Sequence, residues 1–181
     1  MVNKNNIDNK VVDDFGKEWE AFNHQGLEDN ALKSAFDSYF HFFPFNDLKD
    51  AEGFDMGCGS GRWAQFVAKK VGLLNCIDPS HLALDQAKLN LADSTNCFLE
   101  CAGVDSNSLQ DNSQDFGYSL GVLHHIPDTT SALQSCEKNL KQERHFFFIF
   151  TTDLITSLKV IIFYGRLLIC LETSSVGFLF S

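Results

Sequence analysis

The most constraining feature of the sequence is a glycine triplet that directly follows a short apolar run. Gly57, Gly59 and Gly61 are spaced two residues apart, between a predicted strand at Gly53–Met56 and a helix predicted to begin near Arg62. Glycine permits positive φ angles and lets backbone N–H groups approach a ligand, and a helix amino terminus adds a dipole that favours a carboxylate. The triplet therefore predicts a ligand-binding turn between a strand and a helix.

Short apolar runs alternate with helix-length segments from residue 52 onward. This alternation is typical of β-α-β units and predicts an α/β fold with a mostly parallel central sheet. The predicted strands are Gly53–Met56, Leu73–Ile77, Cys97–Ala102, Phe116–Leu120 and Phe146–Phe150, and the predicted helices lie near 61–71, 80–92 and 129–141.

Two amphipathic helices are predicted before this region, over Val11–Phe22 and Ala31–Phe42, because charged and aromatic residues alternate there at helical spacing. Phe15, Trp19 and Phe22 recur along one face of the first helix. Such a stripe either packs on the rest of the domain, which is its commoner meaning, or forms a lid over the ligand site.

The charge balance narrows the class of partner. Lys and Arg number 14 against 24 Asp and Glu, which gives a net charge of −10. Because a surface this acidic repels phosphates, we expect a small-molecule substrate rather than a nucleic acid.

The six cysteines contain no C-x-x-C pair, so no metal site is predicted, and reduced thiols fit a cytoplasmic protein. The amino terminus lacks the apolar region of a secretory signal. The most apolar stretch, Leu158–Leu171, is interrupted by Lys159 and Arg166 and is shorter than the ~20 residues that a spanning helix needs. We therefore expect no membrane association, and the sequence leaves the oligomeric state open.

Asp78 is the second candidate ligand-binding residue, at the end of the second predicted strand. A carboxylate there can accept both ribose hydroxyls in a Rossmann-like crevice. An acid before Pro79 and Ser80 is commonly only a turn former or a helix N-cap, but its spacing from the glycine turn favours ligand binding. The dinucleotide fingerprint G-x-G-x-x-G would need glycine at position 62, so Arg62 makes a nicotinamide oxidoreductase a poorer fit.

Four segments resemble motifs of the class I S-adenosylmethionine-dependent methyltransferases and follow their order. The stretch F-D-M-G-C-G-S-G-R-W at 54–63 resembles motif I, and C-I-D-P-S at 76–80 resembles the ribose-binding strand end. V-D-S at 104–106 resembles the adenine loop, and D-F-G-Y-S-L-G-V-L-H-H-I-P-D at 115–128 resembles the fourth strand and its loop. The resemblance covers about residues 50–145. It implies a Rossmann-like three-layer sandwich, S-adenosylmethionine as cofactor and S-adenosylhomocysteine as product.

A further stretch, F-G-K-E-W at 15–19, resembles a motif of methyltransferases that act on small or sugar-derived molecules. The resemblance also implies a role for each cofactor-binding residue. Asp55 and the amides of Gly57 and Gly59 would hold the methionine part, and Asp78 would bind the ribose. Asp105 would accept from the adenine amino group, with a backbone contact from Ser106. Leu120 and Gly121 would border the sulfonium, and the same loops contain Cys58, Gly61 and Pro79. Alternatively, Asp105 only caps the turn that contains Ser106 and Asn107.

Methyl transfer from a sulfonium chiefly requires alignment of the acceptor and exclusion of water. If the acceptor is a hydroxyl group, a general base would assist, and His124 or His125 follows the fourth strand at the edge where open α/β sheets bind ligands. The alternative is that the histidine pair only shapes the loop before Pro127.

The carboxyl-terminal part departs from the family. Gln142-Glu143-Arg144 stands where the family usually has a Pro-Gly-Gly turn, and residues 145–181 hold seven of the eighteen phenylalanines. We expect the closing β-hairpin to be missing or altered, with Leu158–Leu171 covering the sheet edge as a strand or helix.

One hypothesis for this departure is a reading-frame slip near residues 146–148, in which case the parent protein is longer. The other is a truncated or degenerate domain that binds the cofactor without turnover. The predicted division is a helical cap at 1–50, a cofactor-binding core at 51–152 and an atypical apolar tail at 153–181.

Overall fold

The described part of the chain is built around a seven-stranded sheet with helices on both faces. The computed structural model describes residues 6–21, 29–41, 43–153, 157–164 and 167–174, with side chains at 6–14, 17, 30–41 and 43–142. The strands are β1 (Glu52–Met56), β2 (Leu73–Asp78), β3 (Cys97–Cys101), β4 (Gln114–Leu120), β5 (Leu140–Asp153), β6 (Ser157–Tyr164) and β7 (Leu167–Ser174). The α-helices of these ranges are α1 (Asn9–Ala21), α2 (Asp29–Tyr39), α3 (Ala64–Val67), α4 (His81–Asn90) and α5 (Thr129–Asn139).

The strand order across the sheet is β3-β2-β1-β4-β5-β6-β7. Strands β1 to β5 pair in parallel, whereas β6 and β7 run antiparallel to their neighbours. This confirms the predicted α/β class with a mostly parallel sheet. Because β1, β2 and β4 are parallel neighbours, the loops that follow them meet at one edge, which we call the carboxyl edge.

One predicted helix is much shorter than expected. The segment predicted to be helical at 61–71 contains only the four residues of α3 and a 3₁₀ turn at Ala68–Lys70. Gly61 is held at a φ of +72°, so the first residues of the predicted helix belong to the glycine turn instead. The two amino-terminal helices agree with prediction to within three residues at each end. The side chains of Phe15 and Trp19, and the whole of Phe22, lie outside the described residues.

The closing β-hairpin was expected to be missing or altered, and the structure excludes the first of these alternatives. Strands β6 and β7 pair antiparallel in a continuous register, and β6 pairs with β5. The segment Leu158–Leu171 is therefore divided between two strands and is not a single covering element. β-Branched and aromatic residues, which favour extended structure, dominate β6, whereas β7 is mainly apolar, with Ile169 and Thr173 as its β-branched residues.

The core is divided between the two faces of the sheet. On one face, rings from α2 and from the residue directly after it pack on the sheet, with the Phe36 and Phe40 rings stacked at 4.6 Å and the Phe40 ring edge-on to Tyr118 at 5.4 Å. On the other face, Phe54 and Met56 of β1 belong to the cluster that α5 covers. Alternate strand residues point to opposite faces, so Asp55 points to the same face as α2. Helix α2, which lies within the predicted cap at 1–50, therefore shares a core with the sheet.

Candidate functional site

The glycine turn after β1 adopts the backbone conformation that its sequence predicted. Gly57, Gly59 and Gly61 have φ angles of +79°, +54° and +72°, which residues with a Cβ rarely adopt. The amides of Gly57 and Cys58 both donate to the carbonyl of Ile77, at 2.7 and 3.1 Å. The turn is thus fastened to the end of β2, and the Cys58 side chain is buried in the core.

Asp78 joins the glycine turn to the start of α4. Its Oδ2 accepts from the amide of Gly59 at 2.9 Å, and its Oδ1 accepts from the amide of Ser80 at 2.8 Å. Burial raises the pKa of Asp78, and the two amide hydrogen bonds oppose that shift. Ser80 is the N-cap of α4, because its hydroxyl accepts from the amide of Ala83. Asp78 is therefore both a structural acceptor and a carboxylate at the carboxyl edge, next to Pro79.

Both glycine amides expected to hold the methionine part are engaged within the protein in this structure. The Gly57 amide donates to Ile77 and the Gly59 amide to Asp78. In addition, α3 has only four residues, so its dipole is small. The contact between these amides and a ligand stays a prediction.

Asp55 is a buried acid directly beneath this turn. It is 2% exposed and pairs with Tyr118 in the register of β1 and β4. Burial raises the pKa of Asp55 to about 8; the Tyr118 side chain opposes the shift, while Asp78 adds to it. At neutral pH the carboxyl group is therefore mostly protonated and can donate a hydrogen bond.

The predicted adenine loop lies beside α5. The side chain of Asp105 is exposed, and its Oδ1 accepts from the Ser135 hydroxyl at 2.5 Å. The hydroxyl of Ser106 accepts from the Gly103 amide at 3.2 Å, and the Ser106 amide donates to the Gly103 carbonyl at 3.0 Å. In this structure Asp105 therefore interacts with a helix, and its contact with adenine stays a prediction.

The loop after β4 brings the histidine pair to the carboxyl edge. Leu120 ends β4, Gly121 follows at a φ of +71°, and a 3₁₀ turn spans Leu123–His125. The rings of His124 and His125 lie 3.9 Å apart, at an angle of 42°. Burial, with a smaller contribution from His125, lowers the pKa of His124, which keeps that ring neutral near pH 7.

Three contributors to this region were not found from the sequence. Asn6 and Ile7 lie against loops of the carboxyl edge, and Tyr118 adjoins Asp55. The strand alternation around Asp55 and a correct β1–β4 register would have identified Tyr118. No local pattern marks Asn6, because its partner Asp128 is distant in sequence.

Replacing Gly57 with alanine is expected to lower the free energy of unfolding by about 3 to 4 kcal/mol. A Cβ at this position would lie 2.5 Å from Cγ1 of Val122, in addition to the unfavourable φ of +79°. Gly121→Ala is the matched control, since its φ is +71° and, apart from its chain neighbours, no atom of the described residues lies within 4 Å of a Cβ built there. We expect that variant to lose only about 1 kcal/mol in urea unfolding. Equal losses in the two variants would show that the contact with Val122 is unimportant.

Clusters of metal ligands and membrane-spanning helices are both absent from the described ranges. No group of three or more His, Cys, Asp or Glu side chains within them is arranged to hold a metal ion. No helix in this part of the chain is both long enough and apolar enough to cross a membrane.

The fold defines a Rossmann-like domain whose carboxyl edge carries the glycine turn and Asp78. The family model described as "Methyltransferase domain" matches residues 54–148, just over half of the chain. The chain therefore belongs to the methyltransferase domain family, within the class I S-adenosylmethionine-dependent methyltransferases, whose cofactor is S-adenosylmethionine.

Individual relatives of the chain include transferases with different acceptors. The ubiquinone biosynthesis O-methyltransferase of Vibrio vulnificus (strain YJ016) is 27% identical over 96 residues, covering 52% of this chain and 41% of the relative. The tRNA U34 carboxymethyltransferase of Aliarcobacter butzleri is 31% identical over 105 residues, covering 55% and 34%. The matched region thus spans less than half the length of either relative.

A solved structure shows the same fold. Phosphoethanolamine N-methyltransferase 1 of Haemonchus contortus, solved with phosphoethanolamine and S-adenosylhomocysteine, has a TM-score of 0.64 at 13% identity. The superposition covers 83% of this chain and 34% of that protein.

Proposed function

We propose that this chain binds S-adenosylmethionine at the carboxyl edge and transfers its methyl group to a small-molecule acceptor. The observation that carries the proposal is the hydrogen bond between Asp78 and the Gly59 amide at 2.9 Å. This bond holds the predicted ribose acceptor and the predicted methionine turn in one rigid unit. Each carboxylate oxygen uses one acceptor position on a backbone amide, so each keeps a further position for a ribose hydroxyl.

The chemistry divides between the cofactor and the protein. S-adenosylmethionine supplies an activated methyl group when bound. Asp78 orients the ribose, and the protonated Asp55 supports the turn that faces the methionine part. Leu120 and Gly121 border the reacting sulfur at the end of β4. Pro79, Asp105 and Ser106 are proposed to contact the adenosine, while Cys58 and Gly61 shape the turn.

His124 is the better candidate of the histidine pair for a general base. Its pKa is lowered, so the neutral form that accepts a proton persists below pH 6.5, the usual pKa of histidine. For a hydroxyl acceptor we expect His124→Gln to lower kcat by about 10- to 100-fold with little change in KM. In the matched variant His125→Gln, we expect kcat to fall by less than about threefold. Equal activity of His124→Gln and the unmodified chain in a steady-state assay would assign the pair to loop structure.

We propose a small molecule as acceptor because the net charge of −10 opposes a polyanionic substrate. The two relatives named above include an O-methyltransferase of ubiquinone biosynthesis and a tRNA carboxymethyltransferase, so the family itself accommodates both kinds of acceptor. A cytoplasmic location fits reduced thiols and is part of the proposal. We also retain the division into a cap at 1–50, a core at 51–152 and a tail at 153–181.

Calorimetric titration with S-adenosylmethionine, S-adenosylhomocysteine and NADH tests the cofactor assignment. We expect micromolar binding of the two adenosyl ligands and none of NADH. Binding of NADH alone would favour the oxidoreductase that the glycine spacing disfavours. If the folded chain binds none of the three ligands, the motifs have only a structural role and the cofactor assignment is wrong.

A binding domain without turnover is the second candidate function. The observation that favours it is the unusual composition after residue 144, where the sequence departs from the family. Release of S-adenosylhomocysteine, measured with a panel of phenols, catechols and primary amines, separates the candidates. Release above the acceptor-free rate with any of them excludes the second candidate.

A further inference from the structure

The segment Asn6–Asp8 touches two separate loops at the carboxyl edge. The Nδ2 of Asn6 donates to the Asp128 carbonyl at 2.9 Å, and its Oδ1 accepts from the Asp128 amide at 2.8 Å. One side chain thus satisfies both main-chain groups of a single distant residue. We call these two hydrogen bonds the clasp, and because Asn6 is only 8% exposed, they are sheltered from water.

The next residue lies on the predicted adenine loop. A Cβ built at Gly103 would come within 2.7 Å of Cδ1 of Ile7, so the Ile7 side chain rests directly on the Gly103 backbone. Asp8 then begins the helix, because its Oδ1 accepts from the amides of Lys10 and Val11 at 3.0 and 3.3 Å. Helix α1 packs against α4.

The strand order shows what lies between these contacts. Gly103 follows β3 and Asp128 follows β4, and β2 and β1 lie between those strands in the sheet. The carboxyl ends of β2 and β1 carry Asp78 and the glycine turn. Asp128 is the N-cap of α5 on one face of the sheet, and α1 packs against α4 on the other face, so the segment between Asn6 and α1 passes from one face to the other at the carboxyl edge.

We infer that Asn6 and Ile7 belong to the cofactor site, where Ile7 covers the adenosine and Asn6 holds Ile7 in position. We call residues 6–8 the amino-terminal strap. This inference rests on the proposed function. In it, Ile7 supplies an apolar wall opposite Asp78, and Asn6 is a positioning residue that acts through Ile7. An adenosine enclosed on its outer side leaves only when the clasp opens, so the strap chiefly slows dissociation.

The backbone at Asn6 guides the choice of variant. Its φ is +49°, a region that asparagine and aspartate tolerate better than most residues. Asn6→Asp keeps this tolerance and the acceptor, but it removes the donor and turns a carboxylate oxygen toward the Asp128 carbonyl. Asn9→Asp, at the exposed start of α1, is the matched control with the same change of charge. Ile7→Ala removes the covering side chain and leaves the clasp in place.

The test measures dissociation of S-adenosylhomocysteine and of 5′-methylthioadenosine, which lacks the amino-acid part, by stopped-flow fluorescence on the full chain. We expect Asn6→Asp and Ile7→Ala each to raise the dissociation rate of both ligands by about tenfold, and Asn9→Asp to change neither. Hydrogen exchange adds a local readout. The Asp128 amide should become more protected when ligand binds the unmodified chain, and not in Asn6→Asp.

Unchanged dissociation in both strap variants would overturn the inference, as would an equal increase in Asn9→Asp. An effect on S-adenosylhomocysteine alone would also overturn it, because the strap would then contact the amino-acid part. If the unmodified chain binds neither ligand, the proposed function itself fails and the strap fails with it. If the unmodified chain binds the ligands and neither strap variant changes their dissociation rates, the strap is rejected and the proposed function stands.

Discussion

Replacing Asp78 with alanine is expected to weaken the binding of S-adenosylhomocysteine by about 100-fold or more. The variant loses a buried carboxylate whose hydrogen bonds to two ribose hydroxyls would each contribute about 1.5–3 kcal/mol, and each 1.4 kcal/mol is about tenfold in affinity. It also leaves the Gly59 and Ser80 amides without the acceptors that they have at 2.9 and 2.8 Å. The glycine turn therefore loses its attachment to α4. Calorimetric titration of the purified variant measures the loss.

Two further variants separate the role of the charge from that of the fold. Asp78→Asn keeps one acceptor oxygen, so we expect an intermediate loss of about tenfold. Asp85→Ala removes an exposed carboxylate on α4, paired with Lys88 at 2.7 Å, and should leave binding unchanged. Binding by Asp78→Ala within threefold of the unmodified chain would remove Asp78 from the ribose site and leave it only its structural role.

The second large effect concerns the dependence of stability on pH. Asp55 has a pKa of about 8 in the folded chain against an ordinary value of 3.8. Between these values the unfolded chain holds fewer protons at this position than the folded chain does. Stability from this group is therefore complete below about pH 4 and falls as the pH rises toward 8. The pKa difference corresponds to at most ~6 kcal/mol.

Asp55→Asn should remove this dependence, because the amide is neutral at every pH. We expect the free energy of unfolding of Asp55→Asn, relative to that of the unmodified chain, to rise by about 3 to 4 kcal/mol between pH 5 and pH 8. Urea unfolding of both chains at pH 5, 6, 7 and 8 measures this difference. Asp93→Asn, at an exposed position after α4, controls for the change in net charge. A gap that is constant from pH 5 to 8 would contradict the raised pKa of Asp55.

The sequence was a reliable guide where the signal is local. Alternating apolar runs predicted the five parallel strands, and spaced glycines predicted a turn with positive φ angles, because both patterns express backbone geometry over a few residues. The motif order predicted the family, which the match over residues 54–148 confirms. The prediction of a helix at 61–71 was wrong for its first turn, because helix propensity does not show that Gly61 and its neighbours belong to the glycine turn.

The structure decided what depends on contacts between distant residues. Whether a buried acid is charged depends on its neighbours, and Asp55 acquires Tyr118 only through the register of β1 and β4. Asp105 has Ser135 as its partner, and Asn6 has Asp128. No local sequence pattern predicts any of these pairs.

By itself, then, the sequence determined the α/β class, the glycine turn, the acid at the end of β2 and the family, since each is encoded within one strand and the loop after it. The tertiary structure alone decided that the chain continues past β5 into two antiparallel strands. It also decided the protonation of Asp55 and the path of the strap across the carboxyl edge. The physical reason is that burial, hydrogen-bond partners and electrostatic environment are set by residues that approach in space and are far apart along the chain.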